Sequence, residues 1–415
     1  MEPDSSSDSQ PVFPPEVFDL ILSNLSPSLY DSEDSKEIKE YLSSCALVCR
    51  VWRELARTYQ FESFHCDVDT DEDPEEVPEF YRPPRKLSTV LDFLRSQPSV
   101  CRVVKKLSLS LSWYYDLYPD TTRGADPYNP ASDPVTLAQI LQLLPHLRDV
   151  VLSNIFFESL PSDVPLIPVT PPLHSLAIDQ RGRLIPTIQG TFNLLRLFGG
   201  AEQLSLSEMR YREQDSVEPI PPLPSQARYT SLVIEDMWYK EYLFQALNLC
   251  QNNFPLRSLM VEFVDRGDMD SLKSLLHVLC PTLRELCLHL QAPSSIWLDH
   301  RSDDPYQNPQ IPKNVLNCMA AILPTAPRNL RAIVFVVPYD FGEHYVFQSE
   351  HDEWTDLADV EDLLLSRVED GLQRVILTTV PGPPDERDAV KKTFIEALPR
   401  LSAKVTMELH PKFVA

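Results

Sequence analysis

From residue 86 onward, one arrangement of helix and strand recurs along the chain and restricts the folds open to it. A segment with helical periodicity ends at proline or a polar break, and a short strand of alternating apolar residues, anchored by leucine, follows it. Helices are expected at 87–95, 135–144, 186–198, 239–252, 269–280, 313–323, 358–369 and 386–398. The strands are anchored at Leu107, Leu147, Leu173, Leu204, Leu232, Leu256, Leu283, Leu330 and Leu372. This alternation predicts an α/β fold with a parallel sheet.

The anchors suggest a repeated structural unit. Several successive anchors lie 24–31 residues apart, and proline followed closely by Leu-Arg or Leu-Ser recurs at Pro145, Pro255, Pro281 and Pro399. One strand and one helix cannot bury their apolar sides alone, so the units are expected to stack into a curved solenoid with its helices outside. The pattern resembles irregular leucine-rich repeats. The asparagine that regular repeats place after the strand is mostly absent, and Asn154 is the nearest case.

A different pattern occupies the amino-terminal part of the chain. Residues 13–25 begin with Phe13-Pro14-Pro15, and prolines are well tolerated in the first turn of a helix. At 100° per residue, the helix places one set of apolar residues within an arc of roughly 140° and leaves Leu20 outside it. The set consists of Val17, Phe18, Ile21, Leu22 and Leu25. A second marker, Leu-Val-Cys-Arg-Val-Trp-Arg-Glu-Leu, follows at 47–55.

Together these two segments resemble the F-box, a three-helix module that docks onto the Skp adaptor of cullin–RING ubiquitin ligases. The match places Phe13-Pro14 at the usual Leu-Pro, although phenylalanine replaces the common leucine, and the gap before Leu47 is about ten residues longer than usual, within a loop that tolerates length. The other matching residues are Glu16, Ile21, Leu22, Leu25, Leu47, Val48, Cys49 and Trp52. The resemblance implies that the adaptor-binding or core residues are Phe13, Pro14, Val17, Ile21, Leu25, Leu47, Val48 and Trp52.

These patterns divide the chain into four parts. We expect a disordered tail at 1–11, an F-box at 12–62, an acidic linker at 63–85 and a degenerate leucine-rich-repeat-like domain at 86–415. The fold class is therefore α/β, with an N-terminal three-helix F-box followed by an irregular solenoid with a parallel sheet and outer helices.

Composition narrows the partners and the compartment. A net charge of −24 disfavours binding to nucleic acid. None of the eight cysteines forms a Cys-x-x-Cys pair, and most lie within apolar helical or strand patterns, where a free cysteine acts as a small hydrophobic residue; this favours a reducing compartment. The N-terminus lacks the basic and apolar regions of a signal peptide, and no apolar run approaches the roughly 18 residues of a membrane span. We expect a cytoplasmic or nuclear protein that does not bind membranes.

The motifs of catalysis and metal binding are absent from the sequence. There is no Gly-x-Ser-x-Gly, His-Glu-x-x-His or Cys-x-x-Cys. The acidic run that begins at Asp67 has Glu72 where a calcium loop needs glycine, and His344 and His351 flank acids in what is expected to be an exposed polar loop. The sequence predicts no enzyme, no catalytic residue, no cofactor and no metal site.

The resemblance implies a non-catalytic function. We expect a substrate-recognition subunit of a cullin–RING (SCF-type) ubiquitin ligase, which binds the Skp adaptor, and through it cullin, by the F-box and an unknown protein substrate by the repeats. The alternative is an F-box scaffold or interaction protein with no ubiquitination role. The target-binding residues are not identified by the sequence.

Overall fold

The chain is represented by a computed structural model. It describes residues 15–25, 32–68, 87–111, 134–155, 157, 173–180, 187–209, 222–235, 237, 240–262, 268–279, 281–289, 322–337, 355–379 and 398–410. The fold comprises two compact units. The first consists of Met1–Pro119 and Ser132–Leu152, and the second of Asp120–Ala131 and Ser153–Ala415.

The first unit begins with three helices and continues with three strands in the order β1-β2-β3, of which β1 and β2 pair in parallel. Its elements are α1 (Pro15–Ser23), α2 (Ser32–Cys45), α3 (Arg50–Glu62), β1 (Ser63–Val68), α4 (Leu87–Ser96), α5 (Pro98–Cys101), β2 (Lys106–Leu111), α6 (Pro134–Gln142) and β3 (Asp149–Ser153). In β1, Phe64 and Cys66 are buried and lie opposite Leu107 and Leu109 of β2. A strand therefore occupies the start of the range expected to be linker.

The second unit alternates strands and helices along the chain. Its elements are β4 (Leu173–Asp179), α7 (Ile188–Leu195), β5 (Gly200–Ser207), β6 (Arg228–Glu235), α8 (Lys240–Leu249), β7 (Ser258–Glu262), α9 (Asp268–Leu279), β8 (Glu285–His289), β9 (Ala332–Val337), α10 (Thr355–Glu369), β10 (Arg374–Thr379), α11 (Pro399–Ser402) and β11 (Thr406–His410). The strands pair in this same order and in parallel, as an open sheet. The α/β class with a parallel sheet is confirmed.

One row of buried apolar residues crosses the second unit from strand to strand. Each member lies directly opposite the next, because all the neighbouring pairs are in register. None is more than 1% exposed, so this row forms the centre of one sheet face. The row consists of Leu176, Leu204, Leu232, Leu259, Leu286, Ile333 and Val375.

The opposite face of the same sheet also carries buried apolar side chains. The alternating positions of five neighbouring strands form a separate cluster, Val233, Met260, Cys287, Val334 and Ile376. Burial, aided by the nearby charge of Glu235, raises the pKa of Cys287 to about 12, so this thiol is a protonated packing group. The strands are consequently apolar on both faces, as is typical of parallel sheets.

Asparagines join successive strand–helix repeats of the second unit, but from positions before the strand rather than after it. The Nδ2 of Asn253 donates to the carbonyls of Pro224 and Ala227, at 2.8 and 2.9 Å. The Nδ2 of Asn329 donates to the carbonyl of Pro281 at 2.7 Å. Each bond satisfies a carbonyl of the preceding turn, so these side chains link neighbouring repeats. They do so although the asparagine of regular repeats is mostly absent from its usual position after the strand.

Most of the expected elements agree with the structure within a few residues. Nearly all of the helices expected at 313–323 and 386–398 lies outside the described residues, as does the tail at 1–11. The apolar spacing of the second amino-terminal helix predicts a range of about 36–48, but this helix spans Ser32–Cys45. Strands β1 and β11 were not predicted, because their sequences contain polar residues that break the leucine-anchored pattern.

Candidate docking surface

The three amino-terminal helices, residues 15–25 and 32–62, are called the helical module below. Its centre consists of Leu22, Ile38, Leu42 and Ala56, all of which are buried. Further side chains pack around this centre and are partly buried: Leu25, Cys45, Ala46, Trp52, Leu55 and Tyr59. Four buried residues form a small core for three helices, and small cores stabilise a fold only weakly.

Trp52 holds α1 against α3. Its ring lies 5.1 Å from the ring of Phe18, measured between centroids, with an interplanar angle of 58°. Tilted aromatic pairs at this distance are favourable beyond the area that they bury. Trp52 is therefore mainly an internal packing residue of the module.

The helical module exposes an unusual amount of apolar surface. Of the eight large hydrophobic residues that are exposed in the described part of the chain, seven belong to this module, and the eighth is Leu249. The seven, called the apolar patch below, are Val17 (39% exposed), Leu20 (67%), Ile21 (48%), Tyr41 (52%), Leu47 (81%), Val48 (66%) and Val51 (46%). Concentration of such residues in one small module marks an interaction surface.

The patch on α1 follows from an apolar arc wider than the core it faces. Leu22 lies at one edge of that arc and is fully buried, whereas Val17 lies at the opposite edge, with Ile21 next to it, and both are exposed. Leu20 lies outside the arc, about 60° beyond Val17, where a polar residue would be expected. The first helix thus has more apolar residues than its own chain covers.

The patch at Leu47 and Val48 is presented by a tight turn between α2 and α3. The amide of Leu47 donates to the carbonyl of Ser44, and that of Val48 to the carbonyl of Cys45, both at 3.1 Å. The Nε of Arg53 also donates to the carbonyl of Ala46, at 3.3 Å. The backbone of this turn is therefore fixed while its two largest side chains face solvent.

The residues predicted to bind an adaptor divide into three groups. Val17, Ile21, Leu47 and Val48 are exposed in the apolar patch, and Leu25 and Trp52 pack against the core. Phe13 and Pro14 lie outside the described residues. The prediction did not include Leu20, Tyr41 and Val51. Leu20 could have been found, since it is an apolar residue outside the arc.

A hydrogen bond between side chains also fixes α1 on α3. The hydroxyl of Tyr59 donates to Oδ1 of Asp19 at 2.7 Å. Burial, together with this bond to the carboxylate, raises the pKa of Tyr59 to about 12. The folded protein thus favours the neutral phenol, which is the form that can donate.

We expect Tyr59→Phe to lower the free energy of unfolding by about 1 kcal/mol near neutral pH, because one hydrogen bond is lost. The wild-type advantage is fully present below the ordinary tyrosine pKa of about 10 and disappears as the pH rises toward about 12. Urea denaturation of both proteins at pH values near 8 and 11 measures it. A difference that stays constant between the two would contradict the role of the phenolic proton.

Other kinds of site were also sought among the described residues. Within those ranges, no group of three or more His, Cys, Asp or Glu side chains is arranged to hold a metal ion. His344 and His351 lie outside them. No helix in the described part of the chain has the length and apolarity needed to cross a bilayer. The apolar patch is therefore the strongest candidate for a functional surface.

Known families and proteins provide no further guide to this surface. A scan against models of protein families finds no match, and a search of curated proteins likewise finds none.

Proposed function

We propose that the protein is the substrate-recognition subunit of a cullin–RING (SCF-type) ubiquitin ligase. In this proposal the helical module is an F-box that binds a Skp adaptor through the apolar patch. The second unit is an irregular leucine-rich-repeat-like domain that binds a protein target. The observation that carries the proposal is the concentration of seven exposed apolar side chains on a three-helix module with a small core.

The physical argument for a partner is that the helical module leaves apolar side chains exposed to water. Exposed Leu47, Val48 and Leu20 are each at least 66% accessible, so a partner that covers them gains the free energy of removing apolar surface from water. The fixed turn at Leu47 and Val48 reduces the conformational entropy lost on binding. The F-box resemblance supplies the identity of the partner, since the exposed Val17, Ile21, Leu47 and Val48 belong to its matching segments.

Such a subunit would catalyse no bond chemistry itself. It would bind a target through the second unit and the ligase through the helical module, so that target lysines meet a ubiquitin-loaded enzyme at high effective concentration. The expected consequences are co-purification of cullin with the adaptor and accumulation of the target when the protein is deleted.

The double variant Ile21→Ala/Val48→Ala tests the docking surface. We expect it to weaken binding to a purified Skp adaptor by about 2–4 kcal/mol, or about 30- to 700-fold, because both side chains would be buried in the complex. Isothermal titration calorimetry on the full chain measures the affinity. Both residues are exposed in the free protein, so circular dichroism should show an unchanged fold.

Leu249→Ala is the matched control. Leu249 is 67% exposed but lies on α8 in the second unit, so its truncation should leave adaptor affinity unchanged. Undiminished adaptor binding by the double variant would refute the assignment of the patch. Adaptor binding without cullin, and without accumulation of any target on deletion, would favour a scaffold instead.

A further inference from the structure

We propose that Arg257, Arg284 and Arg331, called the arginine ladder below, bind an extended peptide segment with closely spaced anionic groups. These groups would be carboxylates or phosphate esters. The ladder lies just before β7, β8 and β9, in the second unit. The inference deepens the proposed function and rests on it only in identifying this peptide as part of the target.

The backbone places the three arginines side by side. The amide of Arg284 donates to the carbonyl of Arg257, and the amide of Arg331 to the carbonyl of Arg284, both at 2.8 Å. These bonds extend the hydrogen bonding between the strands by one residue, so the three Cα atoms are about 4.8 Å apart from strand to strand. The Leu-Arg pairs that recur in the sequence thereby become one continuous row of positive charge.

The central arginine is positioned before any ligand arrives. The Nη1 of Arg284 donates to the carbonyl of Asn329 at 3.2 Å. The side chain of Asn329 donates in turn to the carbonyl of Pro281 at 2.7 Å. Arg284 is half-buried, whereas Arg257 and Arg331 are exposed. A guanidinium held by a neighbouring turn loses less freedom when it binds an anion.

Electrostatics gives the reason to expect an anionic ligand. The chain has a net charge of −24, yet none of these three arginines forms an ion pair with a carboxylate of the described residues. Glu285 follows Arg284, but strand alternation directs it to the opposite face of the sheet. Like charges at neighbouring strand positions destabilise a sheet, and an anion between them removes that cost.

An extended peptide matches the spacing of the ladder. Its residues rise by about 3.4 Å each, so anionic side chains one or two residues apart span the interval between neighbouring arginines. Guanidinium groups bind carboxylates and phosphates through paired hydrogen bonds. Nucleic acid is the disfavoured ligand, because its regular phosphates continue beyond the ladder and would meet the acidic remainder of the chain, whereas a short peptide can confine its anionic groups to the three arginines.

Fluorescence anisotropy on the full chain tests the inference. The probes are a fluorescein-labelled oligo-glutamate peptide, a phosphoserine-containing peptide of the same length and the corresponding oligo-glutamine peptide. We expect Arg257→Gln/Arg284→Gln/Arg331→Gln to weaken binding of an anionic probe at least about tenfold and to reduce its salt dependence. The glutamine peptide should not bind. The anionic probe that binds more tightly shows whether the arginine ladder prefers carboxylates or phosphate esters.

The matched control is Arg50→Gln/Arg57→Gln/Arg102→Gln, which removes the same charge from exposed positions of the first unit. It should retain probe affinity. Equal loss in the two triple variants, binding of the glutamine peptide, or ladder-dependent binding of an RNA oligonucleotide as tight as that of the peptides would overturn the inference. If the ladder fails while Ile21→Ala/Val48→Ala still loses the adaptor, the proposed function stands without it.

Discussion

Gly200→Ala is expected to lower the free energy of unfolding by about 3–5 kcal/mol. Gly200 is the first residue of β5, pairs with Arg228 of β6 and has a φ of +114°, a region that side chains disfavour. A Cβ at this position would also lie 2.5 Å from both the amide nitrogen and the carbonyl oxygen of Arg228. These are backbone atoms of a paired strand, so relief requires β5 and β6 to separate.

Gly371→Ala separates the two causes. Gly371 has nearly the same φ, +113°, but an added Cβ would meet nothing within 4 Å. It terminates α10 through bonds from its own amide to Val368 and from the amide of Leu372 to Arg367. We expect a loss of only about 1–2 kcal/mol from backbone strain. Urea denaturation followed by circular dichroism measures both variants, and equal losses would contradict a clash with Arg228.

Glu361→Ala is the second change for which we expect a large effect, about 3–5 kcal/mol of unfolding free energy. Glu361 lies on α10 and is 4% exposed. Its Oε1 accepts from the amides of Arg400 and Leu401 at 2.8 and 3.0 Å, and its Oε2 accepts from Nε of Arg400 at 2.8 Å. The residue that precedes α11, Leu398, has no side-chain acceptor, so Glu361 caps this helix from a distant part of the chain.

Two variants measure the parts of this interaction. Glu361→Gln keeps an acceptor but removes the charge, and we expect a loss of about 1–2 kcal/mol. Asp362→Ala removes a carboxylate that also binds Arg400, at 2.8 Å, but this side chain is 64% exposed, so its loss should cost less than about 1 kcal/mol. Urea denaturation ranks the three. If Asp362→Ala proves as damaging as Glu361→Ala, general charge rather than the buried cap stabilises α11.

The sequence predicts the helices and strands well where a segment of helical periodicity is followed by an alternating strand with a leucine anchor. The strands around Leu107, Leu204 and Leu330 were expected because apolar alternation follows a helical pattern and a break. By contrast, β1 contains His65 between its two buried residues and follows α3 without a break. No local signal therefore separates that strand from the helix before it or from the acidic run after it.

The long-range features were not predictable in the same way. The bond between Glu361 and Arg400 joins residues 39 apart, and neither the helical pattern around Glu361 nor the proline and leucine around Arg400 indicates it. The requirement for glycine at 200 depends on how close the neighbouring strand lies. For the helical module, the excess of apolar residues was visible, but the division into buried Leu22 and exposed Ile21 required the packing of three helices.

The strictly sequential pairing in the second unit has a consequence for synthesis. Each strand from β5 through β10 pairs with the strands immediately before and after it in the chain. During synthesis, each new strand can therefore pair with a strand that has already been made. The sheet can therefore fold strand by strand during translation, before the carboxyl terminus has been synthesised. A nascent chain halted after β8 would already possess most of the hydrogen bonds that its completed portion will ever have.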